Sequence, residues 1–419
     1  MVRTTHLTHL TVVGGGFGGL TAALAAAESG AEVTLYEARE TLGGRARTAD
    51  GPYRTNEGPH ALYNGGPHWR WLEQRGLLPP MARVSVAEGL RVRYHHGGTL
   101  RRTPPAGLLR LRRRREAPIG VPYLEWATGQ LGEETARAAA NFAAVATFHH
   151  APGELSAAFT HERMRRATKL PPEAHYPRGG WSGLVERMAT RAREMGVRIE
   201  LGARVDADAL KDAARRGPVV VATSLAAARA LLDDPGLSWP GGRTALLDLA
   251  LEARRGDAFV VSDLDAPGWI ERFTASDASL APAGQSLIQA QFPLAPDEPR
   301  AAALARGEHL LDLGFPGWRE RVVHRTEATA DGRTGAVDVP GTCWRDRPAV
   351  DRGEGRYLVG DQVAAPGVLS EVSFNSAIEA VERALGRWGG SPQRVTTFHD
   401  ARRHKATLQR HGATHPDSR

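Results

Sequence analysis

An α/β architecture, with a parallel sheet in one domain and a second domain of α+β type, is predicted by three features of the sequence. Residues 12–37 read as a strand, a glycine-rich turn, an alanine-rich helix and a second strand ending in an acid. Two further apolar runs of strand length, Pro218–Thr223 and Arg356–Val359, stand beside helical patterns, as crossover-connected strands require. The chain of 419 residues is long enough to bury two cores, and the intervening stretches carry a different pattern. That pattern is helical over Glu125–Thr147 and strand-like at Leu246–Leu251 and Phe259–Val261.

The glycine turn holds Gly14, Gly16 and Gly19 in G-x-G-x-x-G spacing. Gly14 permits the tight turn out of the strand. Gly16 lets a pyrophosphate approach the backbone. Gly19, with Ala23 one turn later, lets the helix pack closely on the sheet. The helix N-terminus offers free N–H groups and a positive dipole end to the phosphates. Phe17 and Gly18 share that turn. Glu37 ends the second strand, where an acid can bind ribose hydroxyls. Strand, turn, helix and acid together predict a dinucleotide site in a Rossmann-like domain.

The acid continues as Glu37-Ala38-Arg39, followed by Gly43-Gly44-Arg45-Ala46-Arg47-Thr48. This stretch closely resembles the second flavin fingerprint of the phytoene desaturase, monoamine oxidase and protoporphyrinogen oxidase superfamily. The resemblance implies FAD rather than NAD, with Arg45 as the phosphate arginine. Further segments follow in the order of that superfamily. Asn56-Glu57-Gly58-Pro59-His60 resembles its D-x-G-x-H stretch beside the isoalloxazine ring. Tyr176–Trp181 resembles its Y-P-x-G-G-x segment, and Val205 matches the position whose backbone meets the adenine. Tyr357-Leu358-Val359-Gly360-Asp361 resembles its closing Y-L-x-G-D motif, with Asp361 as the acid at the ribityl or phosphate end. Val372 and Ser373 fall where a helix N-terminus points at the flavin O2 side. The family's Ser-Gly appears here as Ser376-Ala377, and Glu371 replaces a common glycine.

The resemblance therefore implies a discontinuous FAD-binding domain from 1–70, 175–225 and 345–395. A substrate domain is expected from 71–174 and 226–344, with a polar tail from 396–419. It implies an FAD-dependent oxidoreductase that moves a hydride from a C–C or C–N bond of a small, apolar or partly apolar substrate to flavin N5. Oxygen or a quinone is the expected acceptor, because only one dinucleotide motif is visible. The alternatives are a flavin isomerase or mutase without net redox, and a non-catalytic lipid- or prenyl-binding protein on the same fold. His60 is the candidate catalytic residue, weighed against a role in packing on the ring. Trp344 and Tyr357 are candidate aromatic walls, weighed against ordinary core packing.

Other features narrow the classes. Cys343 is the single cysteine, which fits a reducing, cytoplasmic setting and non-covalent FAD. No H-E-x-x-H or Cys/His cluster exists, so no metal is expected. The net charge of +7 rests on arginine, since only Lys169, Lys211 and Lys405 are lysines. Its one concentration, Leu108–Arg115, reads as a solvated face, with contact to an anionic membrane surface or an acidic carrier protein as the weaker alternative. No nucleic-acid motif accompanies it.

Overall fold

A computed structural model describes residues 8–57, 61–111, 113–114 and 116–387. Five strands form a wholly parallel sheet in the order Arg356–Leu358, Val219–Val221, His9–Val13, Glu32–Tyr36, Arg198–Glu200. In chain order this is 5-4-1-2-3, the Rossmann arrangement. The order reverses beside His9–Val13, so the glycine turn that follows Val13 opens at the crevice where such sheets bind ligands.

The helix Phe17–Glu28 is buried from Phe17 through Ala26. A helix apolar on all sides must be covered on all sides. It packs against the helices Ser182–Glu194 and Ser370–Arg387 as well as the sheet. Its alanines permit that close approach, and Leu20 and Leu24 are fully buried with Val12, Leu35 and Val220.

A second sheet has seven strands in the order Val322–Ala336, Gly241–Glu252, Gln285–Pro293, Gly268–Arg272, Val260–Asp263, Val92–His96, Thr99–Arg101. All pairs are antiparallel except Val260–Asp263 with Val92–His96. Alternate residues Leu247, Leu249, Ile270, Ile288 and Phe292 form an apolar core with Leu304 and Leu311 of the helix Arg300–Gly314. Gly307 gives Phe292 its space, because a Cβ there would lie 2.4 Å from the ring.

The opposite face carries Asp248, Glu271, Gln289 and Gln291. It meets the helix Glu133–Thr147 and loops from the parallel-sheet side: Gln291 donates to the Val145 carbonyl at 3.2 Å, and Asn56 donates to Gln289 at 3.4 Å. The expected helical run is two helices, Tyr123–Leu131 and Glu133–Thr147, broken at Gly132 with φ +81°. With Ala157–Ala167 they enclose Tyr123, Ala139, Phe142 and Met164. Leu108–Leu111 is a short helix, and Arg112 and Arg115 lie outside the described residues. No helix among the described residues is long and apolar enough to cross a membrane.

Candidate functional site

The backbone turns at Gly14, whose φ is +110° and whose N–H donates to the Tyr36 carbonyl at 2.7 Å. A Cβ at Gly14 would lie 2.5 Å from the Ala222 oxygen, and one at Gly18 would lie 2.7 Å from Val359. A Cβ at Gly19 would lie 1.8 Å from the Gly14 oxygen, so the helix crosses the turn itself more tightly than it crosses the sheet. These three positions are fixed by the protein's own packing. Gly16 is different. Its φ of −79° and ψ of −172° suit any residue, and an added Cβ would meet nothing nearer than 3.8 Å. The fold leaves room at Gly16 that its own atoms do not use.

The second glycine element lies alongside the first. The Gly43 N–H donates to the Gly15 carbonyl at 2.8 Å, and Gly16 pairs with Gly43 as a parallel bridge. Gly43 and Gly44 have φ of +108° and +58°, and a Gly44 Cβ would lie 3.4 Å from the Gly16 Cα. Two backbones stripped of side chains thus face one another at the helix N-terminus, which is a cradle shaped for an anion.

Glu37 holds this region in shape. One carboxylate oxygen accepts from the Gly15 N–H at 2.7 Å and the other from the Arg39 N–H at 2.9 Å. Each oxygen keeps a second lone pair for a hydroxyl donor. Ala38 and Arg39 are exposed beyond it. The segment bearing Val205 runs beside them: Gly202 N–H donates to the Arg39 carbonyl and Ala203 N–H to the Glu37 carbonyl, both at 2.9 Å. Val205 is half-buried.

Arg45 reaches from the second glycine element to Asp361, at 2.6 Å, and to the Arg333 carbonyl at 2.5 Å. Burial opposes its charge, but Asp361 outweighs burial and raises the Arg45 pKa above the ordinary value. Gly360 is tied to the helix Ser370–Arg387 by its N–H, which donates to the buried Ser376 hydroxyl at 3.2 Å. Ser373 lies against the glycine turn, since a Gly18 Cβ would stand 3.8 Å from the Ser373 Cβ. Val372 is buried beside it.

Phe17 points into the core, edge-on to His68 and Trp181 at 5.5 and 5.7 Å. Gly58, Pro59 and His60 lie outside the described residues. Tyr357 is fully buried in the core and Trp344 stacks with Arg345, so core and surface packing account for both.

The sequence singled out Glu371 only as a departure from a common glycine, and it did not flag Arg166, Glu173 or Glu271. Glu371, in the first turn of the helix Ser370–Arg387, accepts from the Val368 N–H at 3.0 Å and pairs with Arg166 at 2.9 Å. Arg166 also pairs with Glu173, which pairs with Lys169. Glycine at 66 admits this acid, because a Cβ there would lie 1.7 Å from the Glu371 carboxylate. On the second sheet Glu271 is 3% exposed and accepts from Trp269 at 3.1 Å and Tyr176 at 3.2 Å. Burial pushes it up to about 7, against the pull of those two bonds. At the far edge of the same sheet, His95, Asp263 and Asp265 come together. Their carboxylates already accept the N–H groups of Gly97, Gly98, Asp265 and Ala266, which accounts for them as locks on two turns.

Residues 12–75 match the family of NAD(P)-binding Rossmann-like domains. No curated protein sequence matches the chain. Among solved structures, an oxidoreductase from Methanosarcina mazei is similar at TM-score 0.70 and 19% identity, over 89% of this chain and 100% of that one. Cyclohexylamine oxidase from Brevibacterium oxydans is similar at TM-score 0.63 and 16% identity, over 91% and 99%. A reduced UDP-galactopyranose mutase is similar at TM-score 0.64 and 14% identity, over 91% and 96%. At these identities the likeness is one of fold. The α/β fold with a Rossmann-like domain and a second domain, expected from the sequence, is the fold observed, and two of these three structures are oxidoreductases or oxidases.

Proposed function

We propose that this chain, which carries a Rossmann-like dinucleotide fold shared with oxidoreductases, is an FAD-dependent oxidoreductase acting on a C–C or C–N bond. The observation that carries the reading is the Gly16–Gly44 cradle with Arg45 and Asp361 at its side. Room at Gly16 that the protein's own atoms leave unused, facing the backbone of Gly44, suits a pyrophosphate. Gly14, Gly16, Phe17, Gly18 and Gly19 form the first wall of that site, and Gly43, Gly44 and Arg45 the second. Glu37, Ala38, Arg39 and Val205 take the adenosine end. Gly360, Asp361, Val372 and Ser373 take the ribityl and ring end, with Gly58, Pro59 and His60 beside the ring by resemblance.

Bound FAD supplies a two-electron acceptor at N5. The chain's residues do the rest. The cradle and Arg45 neutralise the pyrophosphate, and Asp361 orients the guanidinium that does so. The N-terminal turn of Ser370–Arg387, with Val372 and Ser373, would lend its positive dipole end to an electron-rich ring. Glu371 sits in that turn, but Arg166 compensates its charge. The polar face of the second sheet, tied to Asn56 through Gln289, would supply the wall that positions a small, partly apolar substrate away from water. The reoxidant is oxygen or a quinone. In this reading 1–70, 175–225 and 345–395 form the FAD domain, and 71–174 with 226–344 the substrate domain.

The test is anaerobic reduction of the FAD-loaded chain by a panel of amines and unsaturated-bond precursors, followed by admission of oxygen or a quinone. Bleaching of the flavin bands by one class, with recovery on admission of acceptor, is the expected result. Steady turnover without any acceptor assigns the site to isomerisation and overturns the redox reading.

A further inference from the structure

Among the described residues, the buried arginines pair with acids, with one exception. Arg347 makes a bidentate pair with Asp338 at 2.8 Å on both arms, and Arg272 pairs with Glu88. Arg166, half-buried on the helix Ala157–Ala167, holds two carboxylates. Arg163 lies one turn earlier on that helix and is 4% exposed, yet it has no ion-pair partner among the described residues. Its guanidinium carbon lies 3.4 Å from the centre of the Phe159 ring, and one N–H donates to the Phe159 carbonyl at 3.2 Å. Nearby charge makes its position more costly. Burial, then Arg347, push its pKa down to about 10, while Glu162 and Asp338 pull the other way without reaching it as ion-pair partners. Arg347 adds a buried Nη1 that has no hydrogen-bond partner.

The chain links these groups to the Asp361 end of the glycine cradle. Phe159 packs with Leu155 and Val337. The backbone around Val337 joins the ribityl end to this helix: Ala336 N–H donates to the Asp361 carbonyl at 3.2 Å, and Ser156 N–H to the Asp338 carbonyl at 2.9 Å. Tyr63, on the strand pair Leu62–Tyr63 with Ala174–His175, lies under Arg166 at 5.0 Å and within electrostatic range of Arg163.

We propose that Arg163, with the spare N–H of Arg347 beside it, is the subsite that receives a carboxylate of the substrate. An uncompensated buried cation destabilises a fold unless an anion completes it. Asp338 pairs with Arg347, so Arg163 is left as the one guanidinium of this corner with no carboxylate in contact. That matches a carboxylate better than a doubly charged phosphate. The planar guanidinium fork fits the two oxygens, and the Phe159 ring offers an apolar floor beside them. The substrate is then an organic acid with an apolar body. This rests on the FAD reading only for where the acid's reacting carbon lies.

The test titrates benzoate into the full chain, with neutral benzamide as control, and reads both the flavin difference spectrum and the melting temperature. Wild type should bind benzoate and melt higher with it. Arg163→Met should lose about ten-fold or more in benzoate affinity, the loss of one charge-assisted pair, while benzamide is unaffected. Arg163→Lys should fall between. Without ligand, Arg163→Met should melt at or above wild type, because it removes a buried unpaired charge. Equal benzoate affinity in wild type and Arg163→Met overturns the proposal, as does an absence of benzoate binding. The melting readout needs no flavin. Benzoate stabilisation that depends on Arg163 in a chain that takes up no FAD would sink the FAD reading and leave the carboxylate subsite standing.

Discussion

Gly16→Ala should separate ligand binding from folding. The backbone at Gly16 is extended, and the nearest atom to an added Cβ is 3.8 Å away. Alanine then fits without strain. It also reduces the freedom of the unfolded chain, so the cofactor-free protein should gain about 0.4–1 kcal/mol. FAD is affected in the opposite sense. The methyl occupies the space between the facing backbones, where the pyrophosphate must approach. Losing about two charge-assisted hydrogen bonds at about 1.5–3 kcal/mol each weakens binding by about a hundred-fold to ten-thousand-fold. Gly19→Ala is the contrast, because its Cβ would lie 1.8 Å from the Gly14 oxygen. That overlap should destabilise the cofactor-free chain by about 1–3 kcal/mol or more. The assay is a thermal melt of each variant with and without FAD, together with an FAD titration. Wild-type FAD affinity in Gly16→Ala, or a Gly16→Ala chain that melts well below wild type without FAD, would refute the reasoning.

Three further outcomes are expected. Arg45→Ala and Asp361→Ala should each weaken FAD binding by about 1–3 kcal/mol in a fluorescence titration, and unchanged affinity in both would reject their assignment to the cofactor. Glu271 has a folded pKa of about 7. The unfolded carboxyl titrates near about 4.3, so the native state binds the extra proton and stability falls as pH rises through that window, by up to about 3 kcal/mol. Glu271→Gln should therefore lose less melting temperature than wild type between about pH 5 and pH 8, and parallel curves would show that burial of this acid is not the cause. His60→Ala should shift the flavin spectrum and lower the rate modestly; a loss of about a hundred-fold with FAD and substrate affinity intact would make His60 the proton-transfer residue.

The cradle was legible because its signals are local. Gly14, Gly16 and Gly19 sit within six residues, Gly43 to Arg45 are consecutive, and close packing forces glycine at 14 and 19 while a ligand's approach asks for it at 16. The closing Gly360-Asp361 was legible for the same reason. The polar face of the second sheet was not. Gln289 and Gln291 alternate with Ile288, Ala290 and Phe292, which reads as a strand with one side in water. Both glutamines are under 5% exposed, because helices and loops from distant parts of the chain cover that side. Arg163 was hidden in the same way. On a helix of sequence AAFTHERMRRA, an arginine reads as solvated, and only the folded chain, which leaves Arg163 almost wholly covered, shows that it is not. Tyr357 illustrates the opposite case: a residue of the closing motif that serves the core.

The measurement that bears most directly on the whole account is calorimetric titration of FAD into the cofactor-free chain, followed by acid precipitation of the loaded protein. The account predicts one FAD per chain, a yellow complex, and flavin released wholly into the supernatant. Flavin retained in the pellet would contradict the non-covalent assignment. A chain that takes up no FAD, or that takes up NAD in its place, would contradict the central claim.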